Sequence, residues 1–136
     1  MNQDLGALCA GAARALAEAE RPVLEAHGLS MWQYVVLSAL SPGAAPSQLA
    51  LAQQIHYDKT RLIALLDALV AAGLVSRSPD PSDRRARVVR LTDLGAQRHA
   101  AVRDAIRAVE ERLLTGLRPE ERRALRAGLA HLAHSG

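Results

Sequence analysis

The 136 residues are enough for one domain, or for one domain with helical extensions. Hydrophobic residues make up 49%, so a core is within reach, but only Trp32, Tyr34 and Tyr57 are aromatic. Alanine and leucine therefore carry the packing, which favours helices. The net charge of +3 is unevenly spread: residues 1–57 carry −2, residues 58–90 carry +3 and residues 91–136 carry +2. The basic excess thus falls on the middle and the end of the chain and suits a polyanion partner. A lone cysteine, Cys9, excludes an intramolecular disulfide and a cysteine-built zinc site. No signal peptide and no apolar run near the ~20 residues of a membrane span is seen, which points to a protein of the cytoplasm.

In chain order, Leu5 to about His27 is predicted as a long helix, with Leu5, Leu8, Ala12, Leu16, Ala19 and Val23 on one apolar stripe. Pro22 should kink or split it, and Gly28 is a natural stop. Ser30 and Gln33 have the spacing of a capping box for a second helix, to about Leu40. That helix is expected to bury Trp32, Val35, Val36, Ala39 and Leu40. Ser41 to Pro46 reads as a loop. Ser47 caps a short third helix to about Gln54, with Leu49, Ala50 and Ile55 inward.

Ile55-His56-Tyr57 turns the chain into a fourth helix, which begins at Asp58 and carries Leu62, Leu65, Leu66, Leu69 and Val70 on one stripe. Gly73 sits where a helix ends in the left-handed conformation. Leu74 and Val75 form a short strand. Ser78 to Asp83 is dense in turn formers. Arg87 to Leu91 resumes as a strand, with Val89 and Leu91 inward and Arg90 outward. Helix-turn-helix followed by a basic hairpin is the plan of a winged helix. Thr92 or Asp93 caps a fifth helix to about Leu114, on which Val102, Ile106, Val109 and Leu113 form a seam. Pro119 opens a last helix to about His134 on Leu125, Leu129 and Leu132.

The fold class expected is therefore mainly α, a winged helix-turn-helix with a two-stranded β wing and long terminal helices. Residues 1–28 and 93–136 would be dimerisation helices around a DNA-binding domain at 29–92. The stripes at both chain ends exceed what one copy needs, so a homodimer is expected. A two-fold pair would place two recognition helices roughly 34–36 Å apart on a near-palindromic site.

The hairpin Asp80-Pro81-Ser82-Asp83-Arg84-Arg85, followed by Val88-Val89-Arg90-Leu91-Thr92 and Gly95, resembles the wing of the MarR (multiple antibiotic resistance regulator) family. The stretch LSMWQYVVLSAL from Leu29 to Leu40 and the Lys59-Thr60-Arg61 turn are similar to its second and recognition helices. The resemblance covers nearly the whole chain. It implies a triangular dimer that binds double-stranded DNA, usually as a repressor, under control of a small molecule.

In the residues themselves, Asp58, Lys59, Thr60 and Arg61 form a helix start whose free N–H groups and dipole suit phosphates and base edges. Lys59 and Arg61 have a plainer alternative, pairing with Asp58. The resemblance places the family's minor-groove arginine on Arg85 and its partner acid on Asp83; a narrow A·T minor groove favours such a guanidinium. Arg84 and Arg87 are phosphate contacts or solvated charges. Tyr57 touches the backbone or packs. Arg77 and Arg90 contact phosphate or hold the wing to the body.

By the same resemblance an effector cleft involves His27, Met31, Trp32 and Tyr34, with core packing the competing reading of Trp32. One branch of the family senses hydroperoxides with a cysteine on the first helix. That cysteine falls on Gly6, not Cys9, so a redox role for Cys9 is the lesser reading. A winged-helix protein-interaction module is another, and the basic wing argues against it. No metal, cofactor or catalytic motif is read. Asp104 with Arg107 and Glu120 with Arg123 are expected as helix-surface pairs.

Overall fold

The computed structural model describes residues 3–135. Six helices and one hairpin follow in order: α1 (Leu5–Ala26), α2 (Met31–Leu40), α3 (Gln48–Gln54), α4 (Lys59–Ala71), β1 (Val75–Asp80), β2 (Asp83–Leu91), α5 (Asp93–Leu113) and α6 (Pro119–Ala133). Two compact units share them. Arg21–Ala105 forms one, and Met1–Glu20 with Ile106–Gly136 forms the other. No helix among the described residues is long and apolar enough to cross a membrane.

The Arg21–Ala105 unit is the winged helix-turn-helix. Its helix starts are set locally. Ser30 Oγ accepts from the N–H of Gln33 at 3.2 Å, and Gln33 Oε1 accepts from the N–H of Ser30 at 2.9 Å, so the expected capping box forms. Ser47 Oγ accepts from Ala50 N–H at 3.0 Å. Asp58 Oδ2 accepts from Arg61 N–H at 2.9 Å. His56 takes the left-handed conformation (φ 54°) in the tight turn between α3 and α4, which a residue with a Cβ rarely does. Gly73, at φ 77°, ends α4 as its position implied.

Leu37, Leu51, Leu62, Leu66, Leu69, Leu74, Val36, Val75, Val89 and Val102 are fully buried. Each such side chain contributes about 1.5–3 kcal/mol relative to exposure. Two inward assignments are corrected: Trp32 is 40% exposed and Leu49 47% exposed, while Leu37, Leu51 and Ala52 take the interior. In helices as short as α2 and α3 a shift of one residue rotates the stripe by ~100°, so spacing alone does not fix the inward face.

The wing is longer than predicted. β1 and β2 pair antiparallel from Val75↔Leu91 to Pro79↔Arg87, with an irregularity at Pro79/Asp80 and a turn at Pro81 and Ser82. Pro79 is tolerated because this ribbon is an edge, where a missing N–H costs little. Ala45 adds a single-residue bridge on the other side of β2, exchanging hydrogen bonds of 2.8 and 2.9 Å with Val89. The expected loop at 41–46 therefore contributes a sheet partner. At the base of the hairpin Thr92 Oγ1 donates to Gly73 O at 2.6 Å and accepts from Gly95 N–H at 3.0 Å. Thr92 N–H donates to Leu74 O at 3.1 Å. A Cβ on Gly95 would lie 1.9 Å from Leu74 O, so only glycine fits there.

The other unit has a thinner core. Ile106 and Val109 are buried, whereas Leu5, Leu8, Leu113, Leu125, Leu129 and Leu132 are each 42–61% exposed. α1 runs without a break through Pro22, so the alternative of a split helix is not realised. Pro119 opens α6 as expected. Glu121 accepts from Arg118 N–H at 2.9 Å and from its Nε at 3.1 Å, and these bonds hold its carboxyl below the ordinary 4.5. Arg122 pairs with Glu111 and Arg126 with Glu110 (3.5 Å). Glu20 faces the opposite case: partial burial, then the charge of Glu110, raises its carboxyl above 4.5. The anticipated helix-surface pairs are replaced by neighbours, Asp104 with Arg103 at 3.8 Å and Glu120 with Arg118 at 3.6 Å.

Candidate nucleic-acid interface

All of the candidate interface residues lie in the Arg21–Ala105 unit. α4 presents its first turn to solvent, with Asp58, Lys59, Thr60 and Arg61 exposed. The Asp58 carboxylate is used as the cap of that turn, so it orders the backbone and leaves the side chains of Lys59 and Arg61 outside any ion pair among the described residues. Pairing with Asp58, the plainer alternative for Lys59 and Arg61, is therefore not what the geometry shows.

The wing tip is built on two acids. Asp80 Oδ1 accepts from both the N–H and the hydroxyl of Ser82 at 2.8 Å. The backbone bond, then the hydroxyl, holds the Asp80 carboxyl below its ordinary 3.8. Asp83 Oδ1 accepts from Arg85 N–H at 3.0 Å, so its contact with Arg85 is through the main chain. Arg84, Arg85, Arg87 and Arg90 project exposed from β2 and join no ion pair among the described residues.

One concavity of about 250 Å³ brings these parts together. It is lined by Ser47, Gln48 and Leu49 at the start of α3, Lys59 at the start of α4, and Asp83, Arg85, Ala86 and Arg87 of the wing. Arg61, Thr60 and Arg84 lie outside that lining. Arg77 resolves toward the structural alternative: it donates to Gln48 Oε1 at 3.1 Å and to Asp67 Oδ1 at 2.6 Å, with its side chain 25% exposed. It thereby ties β1 to α3 and α4 and sets the wing relative to α4. Gln48, Leu49 and Asp67 are absent from the sequence-derived set: Gln48 and Asp67 act through contacts across 29 and 10 residues of chain that no local spacing marks, and Leu49 reads as a core residue until the concavity is seen.

The residues expected at an effector cleft separate into two ring pairs. Trp32 lies against Tyr57, centroids 4.4 Å apart and planes at 36°. Tyr34 stacks on His99 at 5.5 Å, and His99, buried on α5, shares a 3.1 Å hydrogen bond with Ser38. His27 Nδ1 bonds to Val23 O at 2.9 Å and its own carbonyl accepts from Arg98 at 3.2 Å. Met31 is half-buried. Tyr57 thus packs, against a partly exposed tryptophan. Cys9, on α1, is a half-buried free thiol.

Comparison with known proteins bears on the same residues. The family model described as "MarR family" matches residues 27–86. Over 97 residues the chain is 34% identical to the HTH-type transcriptional repressor NicR of Pseudomonas putida; the match takes in 71% of this chain and 61% of that protein, under two thirds of its length. The solved transcriptional repressor CouR, bound to a 23-mer DNA duplex, is 30% identical, with a TM-score of 0.87 over 96% of this chain and 93% of that one. BpsR of Bordetella bronchiseptica was solved for the mechanism by which 6-hydroxynicotinic acid regulates its DNA binding. It is 25% identical, with a TM-score of 0.84 over 98% of this chain and 96% of that one.

Proposed function

The chain belongs to the MarR family, and from that premise we propose that it is a sequence-specific DNA-binding transcriptional repressor, working as a homodimer and released from DNA by a small-molecule effector. The observation that carries this reading is the concavity in which Lys59 of α4 meets Arg85 and Arg87 of the wing, cations that join no ion pair among the described residues. A surface of that kind is matched by phosphates. α4 enters the major groove with Thr60 and Arg61 toward base edges and Lys59 toward a flanking phosphate, and Arg85 at the wing enters the adjacent minor groove. Arg84, Arg87 and Arg90 contact phosphates. Arg77, already engaged by Asp67 and Gln48, acts by holding the wing in place.

The exposed leucines of α1, α5 and α6 are covered by a second copy, which sets the distance between two α4 helices. The effector acts near the Trp32–Tyr57 pair, because Tyr57 directly precedes the capped start of α4. A ligand that favours one setting of that pair shifts the dimer between a spacing that fits successive DNA turns and one that does not. The protein is proposed to act in the cytoplasm, without catalysis and without a bound cofactor.

Fluorescence anisotropy on a duplex selected from a random pool, against scrambled DNA, tests the reading. Selective binding that weakens steeply with salt, and that drops on Arg85→Ala chiefly at A·T positions, is the expected result. Failure to select any sequence from the pool refutes it.

A further inference from the structure

Leu49 is a leucine where the surface has every reason to be polar. It is 47% exposed, and it lines the concavity among Lys59, Arg85 and Arg87. The interior side of α3 is already filled by Leu51 and Ala52, so the core does not require Leu49. An apolar side chain in a concavity that holds three cations against one acid, Asp83, suits a polyanion that also has an apolar face, and the sugar–phosphate strand of DNA is such a polymer.

We propose that Leu49 packs against one deoxyribose of the strand that divides the major from the minor groove, while Lys59 and Arg87 hold the phosphates flanking that sugar. This rests on the DNA-binding reading above. A duplex that offers its major groove to α4 and its minor groove to the wing must pass that dividing strand between them, across this concavity. Phosphate contacts fix position without reading sequence. The leucine adds a criterion of sugar identity, since a 2′-hydroxyl pressed against it would lose water without gaining a hydrogen-bond partner.

The test is a ribose scan. In the selected operator duplex each deoxynucleotide is replaced in turn by its ribonucleotide, and affinity is measured for the wild type, Leu49→Ala and Leu49→Met. One sugar in each half-site should weaken wild-type binding about tenfold, the scale of one unpaired buried hydroxyl. The penalty should persist in Leu49→Met and vanish in Leu49→Ala. Leu49→Ala should leave the salt dependence unchanged, whereas Lys59→Ala should flatten it by about one phosphate contact.

The proposal is overturned if no sugar position separates wild type from Leu49→Ala, or if Leu49→Ala alters base preference instead. If the protein selects an operator and Arg85→Ala weakens it, such a result removes only the sugar contact. If no operator is selected and Lys59→Ala and Arg85→Ala change nothing, the DNA-binding reading falls with it.

Discussion

The winged-helix unit and the unit built from the chain ends spend their leucines differently. In Arg21–Ala105, leucines 37, 51, 62, 66, 69 and 74 are all fully buried. Among the described residues of the terminal unit only Ile106 and Val109 are buried, while the leucines of α6 stand 42–50% exposed along one helix at steps of four and three. The first unit finishes its core with its own residues. The second carries a stripe at the same helical spacing that the described residues leave about half exposed. Stripes of equal clarity in sequence thus have different fates, and the exposed one is the stripe proposed to be covered by a second copy.

The sharpest way to break this contrast is Leu66→Ala, which should cost about 2–5 kcal/mol through lost burial and a residual cavity, seen as a lower urea midpoint at fixed protein concentration. A cost below 1 kcal/mol would mean that the winged-helix core is not closed. Next in size is Leu125→Glu with Leu129→Glu. Each leucine is already about half covered, so completing both burials is worth about 1.5–3 kcal/mol, and the charges should weaken self-association by about 10- to 100-fold. Sedimentation should show monomers whose far-UV spectrum keeps its helical signal; an unchanged dimer would place the interface elsewhere.

A smaller effect belongs to the wing. Arg77→Ala should cost about 1–2 kcal/mol, since its ion pair is partly solvated and its single bond to Gln48 runs from a charged donor to a neutral acceptor. Asp67→Asn should also weaken DNA binding, although it removes a negative charge. A double-mutant cycle with no coupling between Arg77 and Asp67 would refute the link.

Smallest is Glu20→Gln in the terminal unit. Glu20 has its folded-state pKa raised, so its contribution to stability is full below about 4.5 and is lost as pH rises through the folded value. At neutral pH its charge is a cost. The glutamine variant should therefore melt higher at pH 7, with the gap closing as pH falls toward 4.5. A gap that widens on acidification would reverse the sign.

What could be read from the sequence follows the range of each interaction. Ser30, Ser47, Asp58, Gly73 and Pro119 were legible because a cap or stop is decided within four residues. The winged-helix order and the basic wing were legible for the same reason. The inward face of α2 and α3 was not, since seven to ten residues fit more than one stripe. The strand lengths were underestimated because Pro79, Asp80 and Asp83 speak for turns, and an edge ribbon overrules them. The Ala45–Val89 bridge and the Arg77 clamp left no local trace. Of the candidate site, the chemical types and the wing position were visible. The meeting of Lys59 with Arg85 and Arg87 was not, because it depends on how the wing is held.

The base of the hairpin has a consequence for how such a chain can diverge. Thr92 fastens the exit of α4 to the entry of α5 through Gly73 and Gly95, and Leu74 O receives Thr92 N–H. The segment between them leaves and returns at one point, like an insert between two closed brackets. Its tip can lengthen, shorten or be exchanged as a cassette at a cost of only about 0.6 kcal/mol for each doubling of loop length, while α4 and α5 keep their places. If the wing reads the minor groove as proposed, its preference can therefore be rewritten without touching α4.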